Sequence, residues 1–479
     1  MERQQLVERD LAERLARIVD PGSSQAVAAA AAFLLTVYVG LALAYRDAVP
    51  LFEAPDEPSH IHYAVFVYDH GRLPRHDPFE VPGEGMQAPL VYVVAAPLLD
   101  NIGIDVNSAE RELERAMYPF YSAPEAPGGG HALSVERKGS RMFATDGSLE
   151  PLRVLRSTSL VFGLLTVILT FAAVWRLSRD ARIALLAGAL LAFNPQFLFT
   201  SAYFSNDPAA AAFGAAALWV VVRALEDAQR ESMRRHYIVG ALVLVLGALT
   251  KTSTLPGLAA AAVTLVAIDR RPRREVWIDT GFAAALVLLV VGPYGIWAAE
   301  YRGGLLGVNA VTASAAGLPR AEEYGGVVPF LKSIYWDWTL ESYWARFGWF
   351  NVRVPKATYL AFFALTFSGV LGWIAGRARE PWEALRTRAL RGYLFGSAFA
   401  TLAAHFALNL LIVSPQGRIL FSSAAQIAFL LALGLYRLVG SERRLLPLTL
   451  SIVLALLALD VYCLRGVLVP AYWDAAASR

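Results

Sequence analysis

Cysteine occurs once in the 479 residues, as Cys463 inside an apolar run, so no disulfide can form within the chain. A lone cysteine there is ordinarily a packing residue and does not report a compartment. Lysine is almost as scarce: Lys138, Lys251, Lys332 and Lys356 are the full set. Charged residues make up 17% of the chain, against about 25% in soluble domains. A net charge of +3, with the basic residues scattered through short loops, excludes a nucleic-acid-binding surface. Internal repeats are also missing, which weakens an inverted-repeat transporter. What is abundant is apolar: 56% of residues are hydrophobic and the mean hydropathy is +0.45. Repeated apolar runs of this kind mark a polytopic helical membrane protein.

Eleven runs are candidate spans: 25–45, 153–177, 182–203, 208–225, 237–250, 254–269, 276–298, 357–376, 392–413, 419–438 and 445–464. The fold class expected is therefore all-α and polytopic, with about eleven transmembrane helices. Arginine-rich short loops at 176–182, 223–236, 269–275, 376–391 and 437–444 alternate with nearly uncharged ones. Such loops stay cytoplasmic, which sets the N-terminus inside and the C-terminus outside. Residues 1–24, with Leu11, Leu15 and Ile18 at helical spacing, form an expected cytoplasmic amphipathic helix. Ala42 and Ala44 make an A-x-A pattern, but the run from Gln25 to Tyr45 is long enough to remain as an anchor. The transmembrane domain is expected over 25–464, with extracytoplasmic loops 46–152 and 299–356 and an outer tail at 465–479.

Unusual residues concentrate in those outer segments. In EAPDEPSHIHYAVFVYDHG, Pro58 suits the first turn of a helix and Gly71 its stop, which puts Asp56 and Glu57 at or before the N-cap. The body of this helix is apolar and aromatic and suits a position on the membrane surface. It is either a capped interfacial helix or the seat of a reactive carboxylate. GMQAPLVYVVAAPLL (85–99), read as a twelfth span, would put the arginine-rich loops outside against the charge bias, and is expected instead as a re-entrant or surface helix. Asn206-Asp207-Pro208 is a helix start with an acid on it. Lys251 in TKTST either snorkels or holds a phosphate at headgroup depth. Arg418 in SPQGRILF and Arg346 in ESYWARFGWF offer guanidinium forks, which match phosphate oxygens. His60, His62, His70 and His76 lie near Asp69 and Asp77, but ligands two residues apart leave a helix on different faces. A metal site is not favoured.

In their order these motifs resemble the GT-C superfamily of polytopic glycosyltransferases, nearest to the protein O-mannosyltransferase and lipid A aminoarabinose transferase group. The resemblance rests on Asp56-Glu57 after the first span, followed by His60 and Tyr63-Ala64. Ala88-Pro89-Leu90-Val91-Tyr92 stands where the family often has Pro-Pro-Leu-Tyr-Tyr, with one proline lost. Asp207 and Thr250-Lys251 follow, while Gln416-Gly417-Arg418 and Trp344 to Trp349 look more like an uncharacterised bacterial branch with the same core. The resemblance covers about residues 25–440 and implies an inverting glycosyltransferase using a polyprenyl-phosphate-linked sugar. It implies catalytic carboxylates in Asp56, the general base, and Glu57. Lys251, Arg418 and Arg346 would hold the donor phosphate, and His60, Asp207, Tyr63 and Gln87 would shape the pocket. No cofactor is implied, and a divalent metal is not favoured while basic residues are at hand. The acceptor would be an envelope glycan, lipid or protein, the surrounding partner membrane lipid, and the location a bacterial inner membrane. Two other readings use the same residues: a flippase for a lipid-linked saccharide, and a non-catalytic scaffold of envelope assembly.

Overall fold

The computed structural model describes residues 20–75, 80–81, 83–100, 113, 149–228, 230–302, 321–376 and 379–473. The expected N-terminal amphipathic helix, His76, Asp77, Lys138 and most of the 100–150 insert lie outside the described residues.

All eleven apolar runs fall in helices. Eight helices among the described residues are long and apolar enough to cross a membrane: Ser24–Ala48, Glu150–Ser178, Asp207–Glu226, Arg273–Arg302, Lys356–Ile374, Arg388–Leu411, Gly417–Val439 and Glu442–Trp473. A ninth is reached if Ala181–Ala192 and Pro195–Ala202, which meet at 59°, count as one span. The break has a local cause. Asn194 caps the second helix, its side chain accepting from the N–H groups of Gln196 and Phe197 at 2.9 and 3.1 Å, and Pro195 occupies the first turn. Met233–Ala248 and Thr252–Ile268 complete the eleven but are short for a span. The last helix runs on to Trp473 through a π-helical turn, past the expected end at 464.

Burial separates the helices by position. Gly417–Val439 is 89% buried in its apolar window and Arg273–Arg302 only 11%. The first is the central post, and the second presents Leu288, Leu289 and Ile296 outward, as a lipid-facing helix does.

The first long loop carries its own small core. The helix Glu57–His70 is buried from Glu57 through Phe66, against Val91, Tyr92, Leu99, Leu152 and Phe204. It is packed within the protein rather than exposed along one side. Its apolar residues run all round its circumference, which is the pattern of a buried helix rather than a one-faced interfacial one. Leu90–Leu99 is a short apolar helix and not a span, in keeping with its length. In the second loop Arg346–Phe347 pairs antiparallel with Val352–Arg353, Arg346 opposite Arg353. Trp349 of that hairpin donates from Nε1 to the Phe52 carbonyl at 2.9 Å, joining the two loops.

Candidate active site

Four elements deliver four charges to one place. Asp56 is the cap residue of the Glu57–His70 helix and sits in the left-handed region at φ 63°. Aspartate tolerates that region better than most residues, and its side chain does not cap the helix. It turns instead to Arg418, whose Nη2 bonds the Asp56 carboxylate. Asp207 is the first residue of its own helix, and Lys251 precedes the turn Thr252–Thr254. Lys251 Nζ bonds Asp207 Oδ1, and Arg418 Nη1 lies 3.2 Å from Asp207 Oδ2. Arg418 also donates to Tyr203 Oη at 2.7 Å and to Gln416 Oε1 at 2.6 Å, so its whole fork is engaged. Asp207 and Arg418 are buried, whereas the Asp56 side chain is 27% exposed, so the cluster is reached past Asp56.

His60 lies one helical turn from Asp56, with Nδ1 2.8 Å from Tyr92 Oη. Burial pushes its pKa down to about 3, so it works as a neutral hydrogen-bonding group. Tyr63 stacks on Tyr92 at 3.9 Å between centroids and receives Arg302 Nη2 on its hydroxyl at 2.7 Å. The Gln87 side chain accepts from Asn206 Nδ2 at 3.3 Å, next to Asp207. Asp56, His60, Tyr63, Gln87, Asp207, Lys251 and Arg418 are thus brought into one connected set.

Glu57 and Arg346 are not. Glu57 points away from Asp56 into a fully buried pair with Arg156, Nε and Nη2 each bonding it at 2.7 Å. It also accepts from the backbone N–H groups of Phe52 and Phe204 at 2.9 and 3.1 Å. Every lone pair is thereby committed to holding the loop. Arg346 pairs with Glu341 at 3.0 Å, donates to the Phe350 carbonyl at 3.1 Å, and lies 4.0 Å over the Trp338 ring. Burial lowers its pKa to about 10. Its Nε and Nη1 serve the hairpin and Glu341 rather than the cluster.

Three residues escaped the sequence reading. Arg156 binds Glu57 and the carbonyls of Arg46, Val49 and Pro50 at 2.8–3.1 Å. Arg302 is buried and donates to the carbonyls of Pro74 and Gln87, the latter at 2.7 Å. Both stand at span ends beside the two long loops, on the side the charge bias reads as poor in arginine, and that was the available signal. Glu84 is the third. Burial, then the charges of Asp56 and Asp207, raise its carboxyl to about 7 against the pull of Lys251 and Arg418. Among the described residues no group of three His, Cys, Asp or Glu converges as a metal site would.

The arrangement provides carboxylates and cations side by side, at the end of a largely apolar helical protein. Charges gathered and buried in so apolar a protein are costly and mark this cluster as the candidate site. The family model for dolichyl-phosphate-mannose-protein mannosyltransferases matches residues 150–297, and this shows the GT-C resemblance read from the motifs. Curated proteins yield no match. Among solved structures the chain is similar to ArnT from Cupriavidus metallidurans bound to undecaprenyl phosphate, with 14% identity and a TM-score of 0.41 over 91% of this chain and 73% of that one. It is also similar to the Archaeoglobus fulgidus oligosaccharyltransferase in the apo form, with 13% identity and a TM-score of 0.45 over 92% of this chain. The chain spans 56% of that longer enzyme.

Proposed function

We propose that this protein is an inverting glycosyltransferase that moves a sugar from a polyprenyl-phosphate donor to a cell-envelope acceptor. The observation that carries the reading is the joined set Asp56–Arg418–Asp207–Lys251. The matched family segment, 150–297, contributes Asp207 and Lys251 to it.

In this reading Lys251 and Arg418 hold the donor phosphate. They are neutralised by Asp207 and Asp56 in the resting site, so an incoming phosphate competes for cations already in place and oriented. Arg418, drawn to the phosphate, releases Asp56 to bond the acceptor's hydroxyl or amine. The acceptor atom attacks the anomeric carbon from the face opposite the phosphate, which inverts that centre. The sugar–phosphate bond breaks and its electron pair stays on the phosphate, where the cations stabilise the developing charge. Asp56 is the carboxylate that draws on the nucleophile's proton. His60, Tyr63 and Gln87 line the neighbouring space.

The finer topology belongs to the same proposal: eleven spans over 25–464, N-terminus inside, and the site on the extracytoplasmic face of a bacterial inner membrane. Its support is the helix Asp207–Glu226, which carries Asp207 at one end and Arg223 in its last turn. Twenty residues separate the reactive cluster from that arginine-rich loop by about 30 Å, one membrane thickness.

The test is Asp56→Asn in cells that depend on this protein. The variant should fold and reach the membrane, bind polyprenyl phosphate, and lose transfer by about 10²-fold or more. Transfer at the wild-type rate would end the mechanism.

A further inference from the structure

A groove of about 510 Å³ lies apart from the charged cluster, within the range of about 300–1,000 Å³ usual for ligand sites. Its floor is Ala217 and Val220 of Asp207–Glu226, with Gly240 and Ala241 of Met233–Ala248. Its walls are Thr252–Ile268 and Arg273–Arg302, both packed on Met233–Ala248. Val263 on one wall and Leu288 on the other are each 69% exposed, so the groove opens sideways to lipid. Two hydroxyls occur in the lining, and both turn to the backbone. Tyr237 Oη donates to the Leu265 carbonyl at 3.5 Å and Thr280 Oγ1 to the Val276 carbonyl at 2.7 Å. The lining therefore offers nothing to a sugar and no partners to water. It takes hydrocarbon.

The two ends of the groove differ. Toward the cluster it is closed: a Cβ on Gly247 would stand 2.4 Å from Leu258 Cδ1 and 3.5 Å from Phe213 Cβ. That packed layer separates the groove from the turn that carries Lys251. At the far end Arg271 bonds Asp269 and Asp279 at 2.8 Å each, tying the end of one wall to the start of the other. Beside it Arg270, Arg273 and Arg274 are exposed and have no ion pair among the described residues. With Arg271 and Arg234 they outnumber Asp269, Glu275 and Asp279, so this mouth is net positive. Trp277, 64% exposed one turn into its helix, suits headgroup depth there. Leu258 to Val266 on one wall and Thr280 to Leu288 on the other each rise about 12 Å. One leaflet of hydrocarbon is about 15 Å deep.

We propose that this groove binds one acyl chain of an anionic phospholipid, drawn from the leaflet opposite the charged cluster. The lipid's phosphate rests on Arg270, Arg273 and Arg274, and its chain lies between the two wall helices. Depth and charge together choose this occupant. The groove is as long as a single leaflet's chain, and a basic mouth between membrane helices favours an anionic headgroup over a zwitterionic one. The bound chain fills the gap that the small residues of the floor leave between the walls. This inference does not depend on the transfer reading.

The full chain in detergent micelles is titrated with phosphatidylglycerol or with phosphatidylcholine of the same acyl chains, and retained lipid is read by native mass spectrometry. The wild type should retain one phosphatidylglycerol at least about tenfold more tightly than phosphatidylcholine. Arg270→Gln with Arg273→Gln and Arg274→Gln should erase that preference, about fivefold for each arginine removed. Ala284→Trp, placed on the exposed side of a wall, should fill the groove and lose the retained lipid. Equal retention of the two lipids by the wild type, a comparison that needs no variant to fold, overturns the proposal. A preference that survives the arginine replacements, or lipid held as well by Ala284→Trp, overturns it too. So does loss of undecaprenyl phosphate binding in Ala284→Trp at an unchanged unfolding midpoint, which would give the groove to that chain instead.

Discussion

Adjacent acids can have opposite duties, and Asp56 with Glu57 shows why the sequence alone does not separate them. Asp56 is left-handed while Glu57 is the first helical residue, so their side chains leave the backbone in different directions. One side chain therefore reaches Arg418 and the other Arg156. Sequence reading picked out Asp56 and Asp207 as acids at helix starts, and Lys251 and Arg418 as cations suited to a phosphate. It could not see which acid each arginine would meet, since those partners lie more than a hundred residues away for Arg418 and Asp56. The two carboxylates are distinguished by what fails when each is neutralised. Glu57→Gln leaves Arg156 buried beside a weakened partner and should cost about 3–5 kcal/mol of stability, read as a lowered unfolding midpoint in detergent. Asp56→Asn, partly exposed and at the mouth, should leave that midpoint nearly unchanged. Equal destabilisation by both would remove the division of labour between them.

Apolar runs gave the helices well, because a span must satisfy every backbone group internally and writes that need over many residues. What they did not give was contact. Gly372 and Gly434 let Lys356–Ile374 and Gly417–Val439 approach so closely that a Cβ on Gly372 would lie 1.7 Å from the Gly434 carbonyl oxygen. Small residues at such crossings supply packing where lipid supplies no hydrophobic drive. Gly372→Val should lower stability by about 1–3 kcal/mol through overpacking. Gly281→Ala, with nothing within 4 Å of its new methyl, should be neutral or stabilising by up to about 1 kcal/mol. Thermal unfolding of the two variants checks the pair. The bend at Asn194–Pro195 was written locally, in a capping residue followed by a proline, and was overlooked inside a continuous apolar run. The extension to Trp473 was not legible at all: it is held by Tyr472 Oη on the Glu53 carbonyl at 3.3 Å and Trp473 Nε1 on the Ala48 carbonyl at 2.8 Å, both contacts far along the chain.

For the molecule as a whole, the account needs the cluster and the arginine loops on opposite sides of the membrane. The single cysteine makes this testable, since Cys463 is buried and should remain silent to labelling. Glu322→Cys, exposed in the second long loop, should react with an impermeant maleimide in intact cells. Glu442→Cys, exposed at the arginine-rich end, should react after lysis alone. The reverse pattern would place the site on the cytoplasmic face. The most direct test of the central claim is mass spectrometry of envelope glycans and lipid-linked sugars in cells lacking the protein, complemented with wild type or Asp56→Asn. The account predicts that wild type restores one glycan modification while Asp56→Asn leaves it missing and its polyprenyl-phosphate sugar accumulated; full restoration by Asp56→Asn, or sugar pools unchanged by loss of the protein, would contradict it.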